Sequence, residues 1–209
     1  AAGVAEAMNE YGPFRVDAVR RPDRREHPAG QEAFRVAIQF PWHNQPVCSI
    51  KLEITVDEPL PLAADSLPLL HGYGEPLQAT LRCYSLEGIV AEKLRTTLQA
   101  QKRLTEGRRA RNCARDYYDL WRLCGVHADL VDFPQVASIL PRKCTVRQVS
   151  AEAVDDFFPP IVVETAARQW DGSLANLVRP LPRFTAVVDE LKQVLGAKLE
   201  RLEPSRLGG

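Results

Sequence analysis

A lysine occupies a position where an apolar residue is expected. A step of about 100° per residue along the segment that begins at Leu86 places Lys93 near the middle of an apolar arc. This arc consists of Leu86, Ile89, Val90, Leu94 and Thr97. A buried ammonium needs a partner anion or access to water. Lys93 is therefore either a lysine whose stem covers the core while its head reaches water, or a point charge directed into a polar cleft, where it meets a carboxylate or a phosphate.

Asp116, on the next predicted helix, is the candidate partner. The apolar arc of that helix is formed by Cys113, Tyr117, Leu120, Trp121 and Cys124. Asp116 falls at the border of this arc, where a carboxylate can be partly buried and can reach a neighbouring element. The alternative is an exposed helix with an Arg115–Asp119 pair at i, i+4, which contributes only a few tenths of a kcal/mol.

A second carboxylate, Glu53, lies on a predicted strand. Glu53 shares one face of the strand with Lys51, and Ile50, Leu52 and Ile54 point the opposite way. In a half-exposed sheet the face of Glu53 simply meets water. In the alternative arrangement, the strand face that carries Glu53 lines a cleft beneath the helices.

The segment from Lys93 to Arg115 is strongly basic. It holds eight basic residues and one acidic residue, Glu106. A polyanion would bind here on an otherwise neutral protein. The alternative is a solvated loop between two helices, and the absence of aromatic residues from the segment argues against base stacking.

The composition and net charge of the chain exclude several classes of protein. The chain has 209 residues, of which 45% are apolar and 26% charged, as in ordinary globular proteins. Lys plus Arg and Asp plus Glu both number 27, so no attraction of the whole molecule to nucleic acid or membrane is expected. No apolar stretch approaches the roughly 18 residues of a membrane span, and no signal peptide is recognisable. We expect a soluble, cytoplasmic protein.

Cysteine and histidine residues indicate no zinc site. The five cysteines and four histidines are scattered without metal-binding spacing. We expect reduced core thiols, so a metal site would have to use carboxylates.

The order of the predicted elements is strands first, helices afterwards, which is typical of an α+β fold. Alternation and turn residues predict strands at 14–19, 34–40, 50–56 and 79–84, with a Pro-rich loop at 59–68. Helical periodicity predicts helices at 4–11, 86–102, 111–124, 134–140, 151–158, 161–170 and 184–202. We therefore expect a β-rich part over residues 1–84 and a helical part over residues 85–209.

Three runs of sequence, in this order and spacing, resemble the AbiEii family of nucleotidyltransferase toxins. They are Ile50-Lys51-Leu52-Glu53-Ile54-Thr55, Tyr84-Ser85-Leu86-Glu87-Gly88-Ile89-Val90-Ala91-Glu92-Lys93-Leu94-Arg95, and Arg111-x-x-x-Arg115-Asp116-Tyr117-Tyr118-Asp119-Leu120-Trp121. The resemblance covers about residues 30–125, and the segment Trp170-Asp171-Gly172-Ser173-Leu174 with the final helix resembles the family's C-terminal helical part.

The resemblance implies a polymerase-β-like nucleotidyltransferase fold with a mixed sheet, acting as the toxin of an abortive-infection or toxin–antitoxin pair. It implies transfer of nucleotides from a nucleoside triphosphate (NTP) to an acceptor such as tRNA, a cognate antitoxin protein, and Mg²⁺. By motif, Glu53 would be an acid beside the metal, Lys93 would hold the triphosphate and Asp116 would be a catalytic acid. Arg111 and Arg115 would support phosphate binding or orient Asp116.

One departure from the family pattern concerns the metal. In the family, a Gly-Gly or Gly-Ser turn and an Asp-x-Asp-like pair supply the main ligands, and this sequence contains no Asp-x-Asp. We expect the chain to begin just downstream of that motif, so that the fold is incomplete at its N-terminus. The chain is then either a nucleotidyltransferase toxin, whose activity in this form the sequence leaves open, or a non-catalytic module that binds an antitoxin or RNA.

Overall fold

A computed structural model of the chain describes residues 12, 14–21, 30–55, 60–70, 72, 79–110 and 113–199. The chain divides into two compact units, residues 1–59 and residues 60–209. The predicted helix at 4–11 and Arg111 lie outside the described residues.

The first unit contains a three-stranded antiparallel sheet. Its strands are β1 (Arg15–Arg21), β2 (Gln31–Gln39) and β3 (Cys48–Thr55), in the order β1-β2-β3. Phe34 faces Leu52 across the β2–β3 pair, as the alternation of apolar residues predicts for a hairpin. Ala33 and Val36 of the central strand are buried, whereas every residue of β3 is exposed.

The second unit begins with a two-stranded antiparallel sheet of β4 (Asp65–Pro68) and β5 (Thr80–Cys83). The prediction of a loop throughout residues 59–68 was wrong, because β4 forms there. Pro68 lies at the last position of this strand, where its missing N–H interrupts no ladder.

The helical part begins at α1 (Leu86–Thr105) and continues through α2 (Cys113–Trp121), α3 (Phe133–Val146), α4 (Pro160–Leu174) and α5 (Phe184–Lys198). Ser85 caps α1, since its hydroxyl accepts a hydrogen bond from the Gly88 N–H at 3.1 Å. Asp132 caps α3 in the same way. The segment predicted as a helix at 151–158 forms only a 3₁₀ turn at Val154–Phe157, since Pro159 and Pro160 follow it.

The helices enclose a common apolar core. Val90 and Leu94 of α1, Tyr117 and Leu120 of α2, and Leu191 of α5 are almost completely buried in it. The Tyr117 hydroxyl donates to the Phe157 carbonyl at 2.8 Å, so its polar end is satisfied inside the core. The predicted α+β class is confirmed, with two antiparallel sheets and five α-helices in the described part of the chain. No helix among the described residues is long and apolar enough to cross a membrane.

Candidate functional site

Two helices of the second unit bring Lys93 into contact with a pair of carboxylates. The Lys93 ammonium lies 3.1 Å from Asp116 Oδ1 and 2.6 Å from Asp119 Oδ2. Asp116 and Asp119 are three residues apart in α2 and so project from neighbouring positions on one side of that helix. The Lys93 side chain is only 22% exposed. Lys93 is therefore held as an ion pair between α1 and α2.

The two carboxylates differ in their exposure to water. The side chain of Asp116 is 12% exposed and that of Asp119 is 44% exposed. The Lys93 ammonium thus pairs with one buried carboxylate, that of Asp116, whereas the carboxylate of Asp119 is accessible to solvent and to a ligand beside it.

Burial and charge act in opposite directions on the pKa of Lys93. Burial favours the neutral amine, but the hydrogen bond to Asp119 and the charges of both carboxylates outweigh it and raise the pKa. The lysine therefore keeps its charge at neutral pH.

The pKa of Asp116 is also raised above its ordinary value. Burial is the largest cause, the Lys93 ammonium offsets part of the effect, and the negative charge of Asp119 adds to it. Asp116 therefore depends on Lys93 to remain ionised in this position.

Of the other predicted site residues, Arg115 and Glu53 are exposed, and Arg111 lies outside the described residues. Arg115 is exposed, and the Asp119 ion pair is made with Lys93 instead of Arg115. Glu53 lies on β3 of the first unit, where its carboxylate is 2.5 Å from the Lys51 ammonium. The catalytic and metal-binding roles of Glu53 stay predictions.

An open cavity of about 610 Å³ lies beside Lys93. Its polar side is formed by Lys93, Asp119, Arg122 and Arg179. Its remaining wall consists of Ile89, Tyr118, Leu123, Leu177 and Val178. Ligand sites in proteins have this size and this combination of apolar wall and a few charged groups.

A π-helical turn carries part of the cavity lining. Helix α2 changes at Trp121 into the π turn Arg122–Val126, closed by a 3.0 Å hydrogen bond from the His127 N–H to the Arg122 carbonyl. The wider turn alters the direction of the side chains relative to a regular α-helix. Arg122 and Leu123 are the two residues of this turn that line the cavity.

The connection between α4 and α5 provides another part of the lining. Trp170 donates its indole N–H to the Pro182 carbonyl at 2.9 Å and packs against Phe184. The Val178 N–H bonds to the Leu174 carbonyl at the end of α4. These contacts fix both ends of the segment that holds Leu177, Val178 and Arg179.

The described part of the chain contains no preassembled group of side chains that would hold a magnesium ion by itself. No group of three or more His, Cys, Asp or Glu side chains that could hold a metal comes together among them. Asp116 and Asp119 share their oxygens with Lys93, and Glu53 pairs with Lys51. We therefore derive no chemical step through a metal ion held by these side chains.

Comparison with known proteins identifies the class. A family model of nucleotidyl transferases matches residues 2–194, which include most of both units and the whole Lys93 site. The chain is thus nucleotidyltransferase-like. The model is that of the AbiEii toxin, described as a nucleotidyl transferase of a type IV TA (toxin–antitoxin) system, and the chain belongs to this family. No curated protein and no solved structure matches the chain.

The predicted family is therefore confirmed, but part of the site was not anticipated. Asp119, Arg122 and Arg179 border the cavity, although none of them was among the predicted site residues. Asp119 carried a usable signal, since its spacing of three from Asp116 places both on neighbouring positions of one helix. Arg179 lies in a loop, where no periodicity could have indicated it.

Proposed function

We propose that the chain binds an NTP at Lys93 and takes part in nucleotide transfer to an acceptor such as tRNA. In this reaction an acceptor oxygen forms a bond to the α-phosphorus while the bond to the β-phosphate breaks, and pyrophosphate leaves. The observation that supports the proposal is the charged Lys93 ammonium at the edge of an open cavity. A cognate antitoxin would restrain this activity in the cytoplasm, where both substrates occur.

Asp116 has two proposed roles in this site. Its buried carboxylate fixes the Lys93 ammonium between α1 and α2, which positions the cation for a phosphate. It is also the catalytic acid that the family resemblance implies. Glu53 and Mg²⁺ enter the proposal only through the family resemblance.

Transfer of label tests the proposal. Purified chain is incubated with magnesium, labelled nucleoside triphosphates and total tRNA, and label on the tRNA is measured. Lys93→Ala is expected to abolish the transfer, because the triphosphate loses its cation. Lys192→Ala removes an exposed lysine of α5 that does not line the cavity and serves as the matched control. Equal transfer by the two variants would remove Lys93 from triphosphate binding.

A non-catalytic module that binds RNA is the second candidate. The observation that favours it is the basic surface at the end of α1 and in the connection to α2, where Lys102, Arg108 and Arg109 are exposed. The positive charge of Arg108 is partly compensated by Glu106, whose Oε2 lies 3.1 Å from Arg108 Nη1. Under this alternative, labelled tRNA binds without being modified.

The salt dependence of binding tests the second candidate. The affinity for tRNA is expected to fall steeply with added salt, since each neutralised phosphate releases counterions. Replacing both Arg108 and Arg109 by alanine is expected to reduce that dependence, whereas Arg142→Ala, on the exposed side of α3, leaves it unchanged. An affinity that stays the same from low to moderate salt would exclude the basic connection as an RNA-binding surface.

A further inference from the structure

Lys93 alone does not account for binding of a highly charged anion. Its ammonium already contacts two carboxylates, so the Lys93–Asp116–Asp119 group carries a net negative charge when all three are ionised. A triphosphate that approached only this group would meet repulsion from Asp119, which is open to solvent. Additional cations are required on the cavity wall.

Two arginines supply positive charge and form no ion pair with a carboxylate of the described residues. The Arg122 side chain contacts a histidine, with Nη2 lying 3.2 Å from His127 Nε2. Arg179 is exposed and forms no ion pair with any of the described residues. Both arginines line the same cavity as Lys93. A guanidinium can bind phosphate oxygens through two parallel hydrogen bonds, which a lysine cannot do.

The remaining wall suits the other parts of a nucleotide. Ile89, Leu123, Leu177 and Val178 form an apolar surface, and the Tyr118 ring stands next to it. A base has apolar faces that pack on such side chains, while its phosphates require the cationic rim. The volume of about 610 Å³ accommodates a ligand of this size.

We propose that Arg122 and Arg179 bind the phosphates together with Lys93, with the base and ribose of the NTP on the apolar wall of the cavity. This inference rests on the proposed function and adds the residues that hold the substrate. Arg122 comes from the π turn after α2, and Arg179 comes from the connection between α4 and α5. The triphosphate would therefore bridge two segments that the helical core holds in place.

Direct binding measurements test the inference without requiring transfer. Affinities for the four ribonucleoside triphosphates, with magnesium, and for the corresponding nucleosides are measured by calorimetry on the full chain. Arg122→Ala and Arg179→Ala are each expected to weaken triphosphate binding about tenfold or more, since each removes charge-assisted hydrogen bonds. Nucleoside binding is expected to change little, because nucleosides carry no phosphate.

Controls separate a binding role from a structural one. Arg142→Ala removes an exposed arginine of α3 outside the cavity and is expected to keep the wild-type affinity. Arg179→Lys is expected to recover part of the affinity, because it restores the charge without the planar guanidinium. Where transfer is measurable, the arginine variants are expected to raise KM for the NTP more than they lower kcat.

Each contrary outcome identifies what fails. If the wild-type chain binds or transfers NTP and both alanine variants match Arg142→Ala, the inference fails while the proposed function stands. If the variants lose affinity for tRNA but not for triphosphates, the cavity holds the acceptor and the inference is overturned. If the wild-type chain neither binds a triphosphate nor transfers a nucleotide, both proposals fail.

Discussion

Lys93 and Asp116 depend on each other because both are mostly buried. Lys93→Met is expected to lower the free energy of unfolding by about 1–3 kcal/mol at pH near 7, since it leaves a buried carboxylate without its cation. The pKa of Asp116 is already raised by burial and would rise further in this variant. Urea unfolding of wild-type and Lys93→Met chains measures the difference.

The sign of the pH dependence follows from that raised pKa. Between the ordinary pKa of a carboxyl and the higher folded value, the folded variant binds a proton that the unfolded chain does not. The stability of Lys93→Met should therefore recover as the pH is lowered through this range. The double variant Lys93→Met/Asp116→Asn should lose less stability than Lys93→Met. The Lys93–Asp116 ion pair would be contradicted if Lys93→Met lost the same stability at all pH values. It would also be contradicted if Lys93→Met and the double variant lost equal stability.

The helical wheel anticipated one contact of Lys93 and missed the other. Asp116 could be predicted as its partner because it falls at the border of an apolar arc, where burial is expected. Asp119 entered the sequence analysis only in the alternative, as the partner of Arg115 on an exposed helix. Lys93 reaches Asp119 because a lysine stem is long and flexible, and a wheel of a single helix contains no information about a side chain from another helix.

Helix α1 is joined to α3 by a second charged cluster, away from the cavity lining. The carboxylate of Glu92 contacts the buried Arg95 and lies 3.2 Å from the ammonium of Lys143, which is 7% exposed. Burial alone would raise the pKa of Glu92, but Arg95 and Lys143 outweigh it and lower the pKa. This cluster connects two helices and is not part of the proposed substrate site.

Glu92→Gln tests that structural role. It is expected to lower the free energy of unfolding by about 1–3 kcal/mol near neutral pH, because two buried cations lose their carboxylate while Glu92 itself is partly solvated. The pKa of Glu92 is lower in the folded chain than in the unfolded chain, so its ionised carboxylate stabilises the fold at pH values above the ordinary pKa. This stabilisation is lost as the pH falls through the lower pKa of the folded chain. The difference between wild type and variant should therefore shrink on acidification, as followed by urea unfolding.

The matched control is Glu164→Gln, which changes an exposed glutamate of α4. It is expected to leave both the stability and its pH dependence close to wild type. If Glu92→Gln behaved like this control, the cluster would contribute nothing to the joint between α1 and α3. If it abolished NTP binding in a stable chain, Glu92 would belong to the substrate site.

Periodicity predicted the elements better than it predicted their ends. The first helix was expected to begin at Leu86, and it does, because Ser85 provides a cap that is visible in the sequence. The second helix was expected to remain regular up to Cys124, but it becomes a π turn from Arg122. The π turn cannot be recognised by a pattern that assumes 3.6 residues per turn, so the cavity-lining positions of Arg122 and Leu123 could not be predicted.

The stability of the whole molecule is concentrated in its second unit. The connected apolar core runs from Val90 to Leu199, entirely within residues 60–209. In the described part of the first unit only Ala33 and Val36 are buried apolar residues, and β3 is exposed along its length. A small sheet with so little buried apolar surface is marginally stable at best on its own.

A fragment of residues 60–209 is therefore expected to fold cooperatively without the first unit. Circular dichroism and urea unfolding should show a single transition, and Lys93→Met should lower its stability as it does in the full chain. The fragment should bind triphosphate through Lys93, Arg122 and Arg179 but should not transfer nucleotide, because Glu53 lies in the first unit. Full transfer by the fragment would remove Glu53 from the reaction. A fragment without a cooperative transition would show instead that residues 1–59 are needed to complete the helical core.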